Sequence, residues 1–298
     1  MPTWDPDSYL RFADERGRPF ADLLARVGAI GPREVVDLGC GPGNLTATLA
    51  DRWPGARVTG IDSSTPMIDA ARGRGDSRVR FDTGDVRDWQ PDEPVDVLVC
   101  NATLQWVPGH LQLLPRWLAA LGPGGWLALQ VPGNFDAPSH RVLAELVATE
   151  PYAAVLGAST ERAAAPDPPD YLAALVAAVE GLPGELAVDV WETTYLHLLA
   201  GADPVLAWLS GTGARPAVQA LAAADQRLAD RFVDALAERL RAAYPPGPGG
   251  TVLPFRRIFA VAHRVDVAHR VDAGHRVDVA HRVDAGHRVD AGHRVDAA

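Results

Sequence analysis

Apolar positions along this chain fall into two rhythms. Short, nearly continuous apolar runs recur at residues 35–38 (V-V-D-L), 57–61 (R-V-T-G-I), 78–82 (R-V-R-F-D), 95–100 (V-D-V-L-V-C) and 126–131 (W-L-A-L-Q-V). Runs of this length, rich in β-branched residues, predict strands covered on both faces. Helical spacing separates them at residues 45–52, from Pro66 (well placed in a first helical turn) to Arg72, and at 111–121. Strand and helix alternate five times, which predicts a doubly wound α/β sheet with right-handed crossovers. Upstream, residues 8–27 read as helix, with Gly17 and Pro19 predicting two short helices rather than one.

The rhythm breaks after Pro132. Helical patterns near residues 139–150 and 171–179 flank a Pro/Asp/Ala-rich link, and together they predict an inserted lid over the sheet. Residues 186–198 have strand character, 204–211 and 216–223 read as short helices, 225–244 as a longer amphipathic helix, and 255–262 as a final strand. The expected division is a helical segment at 1–30, a Rossmann-like core at 31–132, a helical insert at 133–184, the rest of the core at 185–262, and a tail at 263–298. The tail repeats H-R-V-D with a six-residue period and holds six of the nine histidines. A metal-binding histidine array along one strand face is one reading. A low-complexity, disordered segment without catalytic role is the better one.

The chain has 298 residues, 47% of them hydrophobic, enough for one sizeable core. It contains no apolar run of about 20 residues, so no membrane span is expected. The first residues lack a basic stretch followed by an apolar one, so no secretory leader is expected. Two cysteines, Cys40 and Cys100, suggest no disulfide framework. A cytoplasmic enzyme, monomeric or weakly dimeric, is the expectation. A net charge of −10 argues against nucleic-acid binding and means that any anionic substrate needs local arginines.

The candidate chemistry centres on residues 34–44, E-V-V-D-L-G-C-G-P-G-N. A strand runs into a turn with Gly39, Gly41 and Gly43, where the backbone can approach a ligand closely. The next helix points its N-terminal amides at the same space. Asp62 ends the second strand about twenty residues on, placed either to accept both hydroxyls of a ribose or to cap the following helix. Asp85, with Val86, follows the third strand, where a carboxylate can meet the amino group of an adenine. Asn101 opens the loop N-A-T-L-Q-W after the fourth strand. Asn101 and Gln105 are candidates for an active-site floor, and Trp106 either lines the pocket or packs under the lid. All of these follow strand carboxyl ends, so they should converge on one crevice.

The wording D-L-G-C-G-P-G-N resembles motif I of class I S-adenosylmethionine-dependent methyltransferases, and its spacing differs from the dinucleotide G-x-G-x-x-G. Further stretches carry the resemblance from residue 4 to 263: W-D-P-x-x-Y-L-x-F, G-I-D-S-S-x-x-M-I, N-A-x-L-Q-W, W-x-T-T-Y-x-H, G-x-R-P and F-R-R-I-F-x-V-A. Together they resemble the trans-aconitate 2-methyltransferase family; the repeat tail departs from that pattern. The resemblance implies a Rossmann-like methyltransferase sheet of seven strands, the last antiparallel, with a helical cap. It implies S-adenosylmethionine as cofactor, S-adenosylhomocysteine as product, and esterification of one carboxylate of a small tricarboxylate. Asp37, Gly39, Cys40, Gly41, Asn44, Asp62, Ser63, Met67, Asp85, Val86 and Asn101 would then hold the cofactor.

A carboxylate, with a pKa near 4, is already a nucleophile at pH 7, so direct in-line transfer needs no general base. No Ser-His-Asp set is evident, no Cys/His cluster lies outside the tail, and no metal site is expected. Arginine binds carboxylates best, through its planar fork. The candidates are Arg215 and Arg257, then Tyr195, His197, Tyr9 and Arg18. His197 reads equally as a packed core histidine. Arg256 and Arg257 should face opposite sides of their strand, so one of them is expected to reach the site. Competing readings are another small acid or polyketide-like acceptor, a non-catalytic cofactor-binding module, and a nicotinamide oxidoreductase, the last disfavoured by the glycine spacing.

Overall fold

The computed structural model describes residues 13–73, 77–157, 166–179 and 184–265. Seven strands make one sheet: β1 (Glu34–Leu38), β2 (Arg57–Asp62), β3 (Val79–Thr83), β4 (Val95–Asn101), β5 (Leu121–Pro132), β6 (Glu185–Leu199) and β7 (Thr251–Val265). Their spatial order is β3-β2-β1-β4-β5-β7-β6. β1 to β5 pair in parallel, and β7 is antiparallel to both β5 and β6. The order reverses between β1 and β4, the place where such sheets open a crevice at their carboxyl ends.

Both faces of the sheet are covered, which is why its central strands are apolar without interruption. Val35, Val58, Val97, Val99, Ala128, Phe259 and Val261 face α1 (Ala13–Leu24) and α2 (Asn44–Arg52). Val36, Leu38, Leu98, Leu127, Leu129, Ile258 and Ala260 face α4 (Leu114–Ala119) and α7 (Pro168–Ala178). α3 (Thr65–Arg72) packs over Phe81 beside the glycine turn. A separate apolar cluster joins α5 (Pro138–Val147), α6 (Tyr152–Leu156), α8 (Pro204–Ser210), α9 (Arg215–Ala224) and α10 (Gln226–Ala243) around Phe232, Leu236 and Trp208. This is the helical cap. Among the described residues no helix is long and apolar enough to cross a membrane.

Four local expectations are corrected. α1 runs unbroken through Pro19. A helix-interior proline costs about 3 kcal/mol, while burial of Phe20, Leu23 and Leu24 stabilises the helix by about 1.5–3 kcal/mol each. The predicted helix at 111–121 shrinks to α4, preceded by a 3-10 turn at His110–Leu113, because residues 122–125 enter β5 as an irregularity opposite Val95–Val97. α7 belongs to the sheet's covering layer, since Tyr171 and Leu175 pack in that core, and not to the cap. β6 and β7 are both longer than their apolar cores, because they pair along their whole length from Glu185–Val265 to Leu199–Thr251.

β7 therefore enters the first repeat of the tail. His263 stacks on Trp126 at 4.1 Å, and Arg264 donates to the carbonyl of Leu121. The repeats beyond Val265 lie outside the described residues. A chain ending after residue 266 should unfold within about 2 °C of the full-length protein. One ending after Val261 loses the Trp126 stack and the terminal pairs of both flanking ladders, and should melt about 5 °C or more lower, as differential scanning calorimetry would read.

Candidate functional site

β1 delivers the glycine turn into the crevice. Gly39, Gly41 and Gly43 take φ of 77°, 56° and 75°, a left-handed region that a Cβ disfavours. At Gly39 the space is also closed: an added Cβ would lie 2.0 Å from Thr103 Oγ1. The turn is pinned to β2, with the N–H groups of Gly39 and Cys40 donating to the Ile61 carbonyl at 2.7 and 3.0 Å. Asp62 completes the clamp: Oδ2 accepts from the Gly41 N–H at 2.9 Å and Oδ1 from the Ser64 N–H at 2.8 Å. Each oxygen keeps a further lone pair for a ligand hydroxyl. Burial raises the pKa of Asp62, and the two N–H bonds oppose the rise. It is Ser64, not Asp62, that stands at the N-cap of α3.

A cavity of about 250 Å³ opens here, lined among others by Gly39, Gly41, Asp62, Ser63, Met67, Asp85, Val86 and Asn101. Of the cofactor candidates, Asp37, Cys40 and Asn44 stand behind this wall instead. Asp37 is buried and accepts from Thr46 Oγ1 at 2.6 Å, and burial pushes its pKa up to about 6. Cys40 is buried, with its Sγ on the Gly41 carbonyl, and Asn44 starts α2. They shape the turn from the rear. Asp85 is held by Arg87 through Nε and Nη2, and that pairing keeps its pKa low. A ligand amine at Asp85 shares the carboxylate with this exposed arginine.

A second cavity, of about 80 Å³, adjoins the first. Asn101, Ala102 and Trp106 line both, so the loop after β4 forms a common wall. That wall is strained: Ala102 has φ 54°, a conformation costing on the order of 1–3 kcal/mol in a non-glycine residue. Its N–H donates to the Gln130 carbonyl at 2.8 Å, and Gln105 Nε2 donates to its carbonyl at 2.6 Å. Asn101 Oδ1 and Gln105 Oε1 are buried with no hydrogen-bond partner among the described residues. Further along, His110 Nε2 meets the hydroxyl of Tyr171 at 2.6 Å, tying the same loop to α7.

Among the described residues the second cavity is otherwise lined by Gln105, Pro132, Asn134, Phe135, His140, Trp208, Leu209, Thr212, Phe255 and Arg257. Among the described residues no carboxylate lines it. Arg257 is 4% exposed, lies 4.4 Å over the Phe255 ring and reaches Gln130 Oε1 at 3.4 Å. Arg256 points to the other side, into ion pairs with Glu192 and Asp167, as the strand period predicts.

The other acceptor candidates are placed elsewhere. Tyr195 is buried and donates to Asp22 Oδ2 at 2.6 Å, with Arg18 over its ring at 5.0 Å. His197 is packed among the rings of Tyr195, Trp208 and Phe255, the core reading of that residue. Arg215 begins α9, three residues past Thr212, and is not part of the cavity wall. Tyr9 lies outside the described residues. Asn134, His140 and Thr212 are the polar wall residues that sequence reasoning missed. They sit on three different segments, and no local motif marks them.

Known proteins agree with this architecture. The family described as "Methyltransferase domain" matches residues 35–125. Trans-aconitate 2-methyltransferase of Streptomyces avermitilis is 52% identical over 272 residues, covering 89% of this chain and 98% of that protein. The protein of the same name from Rhodococcus jostii is 52% identical, covering 87% and 98%. That of Mycobacterium tuberculosis is 47% identical, covering 87% and 96%. Among solved structures, YcgJ of Bacillus subtilis superposes with a TM-score of 0.51 at 15% identity, covering 83% of this chain and 98% of that one. The [4+2]-cyclase SpnF superposes at 0.51 and 19% identity, covering 89% and 87%. A cyclase on the same fold means that the fold alone does not fix the chemistry.

The buried Asp37 makes stability depend on pH. Its folded pKa, about 6, lies above the ordinary 3.8. Its contribution is therefore full below pH 3.8 and lost as pH rises through 6. Asp37→Asn keeps the acceptor for Thr46 without the charge. The variant should gain on the order of 2–3 kcal/mol over the unmodified protein between pH 4 and pH 7. Urea unfolding across that range would show the gap widening; a constant gap would contradict it.

Proposed function

The chain belongs to the trans-aconitate 2-methyltransferase family, and from that premise we propose that it esterifies one carboxylate of trans-aconitate to give the monomethyl ester. Membership makes it an S-adenosylmethionine-dependent methyltransferase. The observation that carries the acceptor assignment is the second cavity: it adjoins the cofactor crevice across Asn101, Ala102 and Trp106, carries a buried arginine, and has no carboxylate among its described lining residues. In a protein with net charge −10, such a surface selects an anion.

The crevice fits the cofactor on its own geometry. A clamp carboxylate with lone pairs to spare suits a ribose, an open glycine backbone suits close approach, and Met67 with Val86 suits an adenine face. When bound, S-adenosylmethionine supplies an electrophilic methyl group. Asp62 would hold the ribose, Asp85 the adenine amino group, and the turn at Gly39 and Gly41 the methionine portion. Arg257 would bind one acceptor carboxylate by a charge-assisted pair of about 1.5–3 kcal/mol. The acceptor carboxylate is ionised at neutral pH, so in-line attack needs no proton removed. The residues bind, align and exclude water.

Radiolabelled S-adenosylmethionine offered with trans-aconitate, cis-aconitate, isocitrate and a neutral phenol tests the reading. Selective labelling of trans-aconitate is expected; preferred labelling of the phenol would refute the acceptor assignment. Arg257→Ala should raise KM for trans-aconitate about 10- to 150-fold, with cofactor affinity unchanged. Arg257→Lys keeps a buried charge and should recover part of that loss. Asp62→Ala should weaken S-adenosylmethionine binding at least tenfold by calorimetry, and an unaltered Kd would remove Asp62 from the ribose site.

A further inference from the structure

We propose that His110 is a positioning residue for the cofactor: pinned by Tyr171, it fixes the wall of the crevice at Val107 and Pro108. The inference rests on the crevice being the S-adenosylmethionine site, as read above, and adds what shapes it from behind. Val107 and Pro108 line the crevice, whereas His110 lines neither cavity. His110 is 4% exposed and opens the 3-10 turn His110–Leu113. It therefore acts on the crevice through the backbone.

The two ring nitrogens have different partners. Nδ1 lies 3.0 Å from the Val107 carbonyl. A carbonyl can only accept, so Nδ1 carries the hydrogen. Nε2 lies 2.6 Å from the Tyr171 hydroxyl. Burial lowers the His110 pKa, with the Val107 and Leu104 carbonyls pulling the other way, and burial raises that of Tyr171. The ring is neutral, the phenol keeps its hydrogen, and Tyr171 donates to Nε2. The two rings also stack, 28° from parallel with centroids 5.6 Å apart.

Tyr171 is a fixed post. It is buried in one apolar cluster with Leu104, Leu114 and Trp117. Asp167 and Asp170 form a capping box at the start of α7, and Arg256 of β7 pairs with Asp167 at 2.9 Å. Between this post and the crevice the chain turns sharply. The Val107 N–H donates to the Leu104 carbonyl at 3.0 Å, and Gly109 takes φ 71°. The Val107 carbonyl is where the ring meets the wall. Val86, which the reading above sets against adenine, belongs to the cluster on which Val107 packs. Displacing Val107 therefore opens the crevice on the adenine side.

The test separates the two bonds. His110→Asn keeps an amide N–H where Nδ1 stands and gives up Tyr171; Tyr171→Phe removes the hydroxyl alone; His110→Phe loses both bonds. S-adenosylmethionine Kd is measured by calorimetry on full-length protein, well below the unfolding midpoint, together with kcat and KM for trans-aconitate at saturating cofactor. His110→Asn and Tyr171→Phe should each weaken cofactor binding about 5- to 30-fold. The double variant should bind no more weakly than the poorer single, since one bond is lost in all three. His110→Phe should bind more weakly than His110→Asn. kcat and KM for trans-aconitate should stay within about threefold. In the unliganded protein, nuclear magnetic resonance should show a slowly exchanging Nδ1 hydrogen on His110; a hydrogen on Nε2 instead overturns the assignment. Unchanged Kd in both single variants, with a lowered melting temperature, makes the pair a packing contact only and overturns it too. Should His110→Asn fail to fold, Tyr171→Phe carries the same comparison. Asp62→Ala separates the two readings. If it and the clasp variants all leave Kd unchanged, the crevice is not the cofactor site; if Asp62→Ala alone weakens binding, only the role of His110 fails.

Discussion

The contact between Thr103 and Gly39 holds the site together. Thr103 Oγ1 lies 3.2 Å from the Gly39 carbonyl and 3.2 Å from that of Asn101, joining the turn after β1 to the loop after β4. No side chain at residue 39 could coexist with it, since the Cβ of any other residue would fall 2.0 Å from the hydroxyl. These two strands are neighbours at the point where the sheet order reverses. Because the loops meet there, Asn101, Ala102 and Trp106 wall two cavities at once. The left-handed Ala102 is the cost of that shared wall, and the bonds to Gln130 and Gln105 keep it in place. Two cavities walled by one loop lie side by side, the arrangement that would bring the contents of one within reach of the other.

Charge is partitioned across this wall. The crevice side carries Asp62 and Asp85, whose pKa values move in opposite directions: burial lifts one and Arg87 lowers the other. The described lining of the second cavity carries Arg257 and His140 and no carboxylate. In a protein with 38 acidic and 28 basic residues, the described lining of this small cavity is free of acids. Exposed charges are screened within about 8–10 Å in physiological salt, so what lines the cavity decides selectivity more than the net charge does.

The sheet and its glycine turn were legible because they rest on local patterns. Two-face burial leaves an apolar run that needs no knowledge of partners, and a left-handed turn demands glycine wherever it occurs. That Asp62 and Asp85 line the crevice follows from the distance of the first to that turn and from the place of the second after the third strand. Pro19 misled because its penalty is local, whereas the burial of Phe20 and Leu23 that overrides it is tertiary. The acceptor wall was largely illegible. Asn134, His140 and Thr212 come together only through tertiary packing, and a lone polar residue on an amphipathic helix looks the same in solvent or in a cavity.

Arg257 was the acceptor candidate that reached the wall, and topology says why. β7 is inserted antiparallel beside β5, so its early residues lie at the carboxyl edge of the parallel strands, with Arg257 opposite Pro132. Tyr195 and His197 share the face of Arg257, as their even spacing requires, with Tyr195 opposite Phe255. They belong to β6, the edge strand one place farther from the crevice. At that distance α1 and Trp208 cover the face: the Tyr195 hydroxyl is taken up by Asp22, and the His197 ring is packed among neighbouring rings. Side-chain periodicity puts all three residues on one face. Strand order, which periodicity does not encode, decided which of them met the cavity.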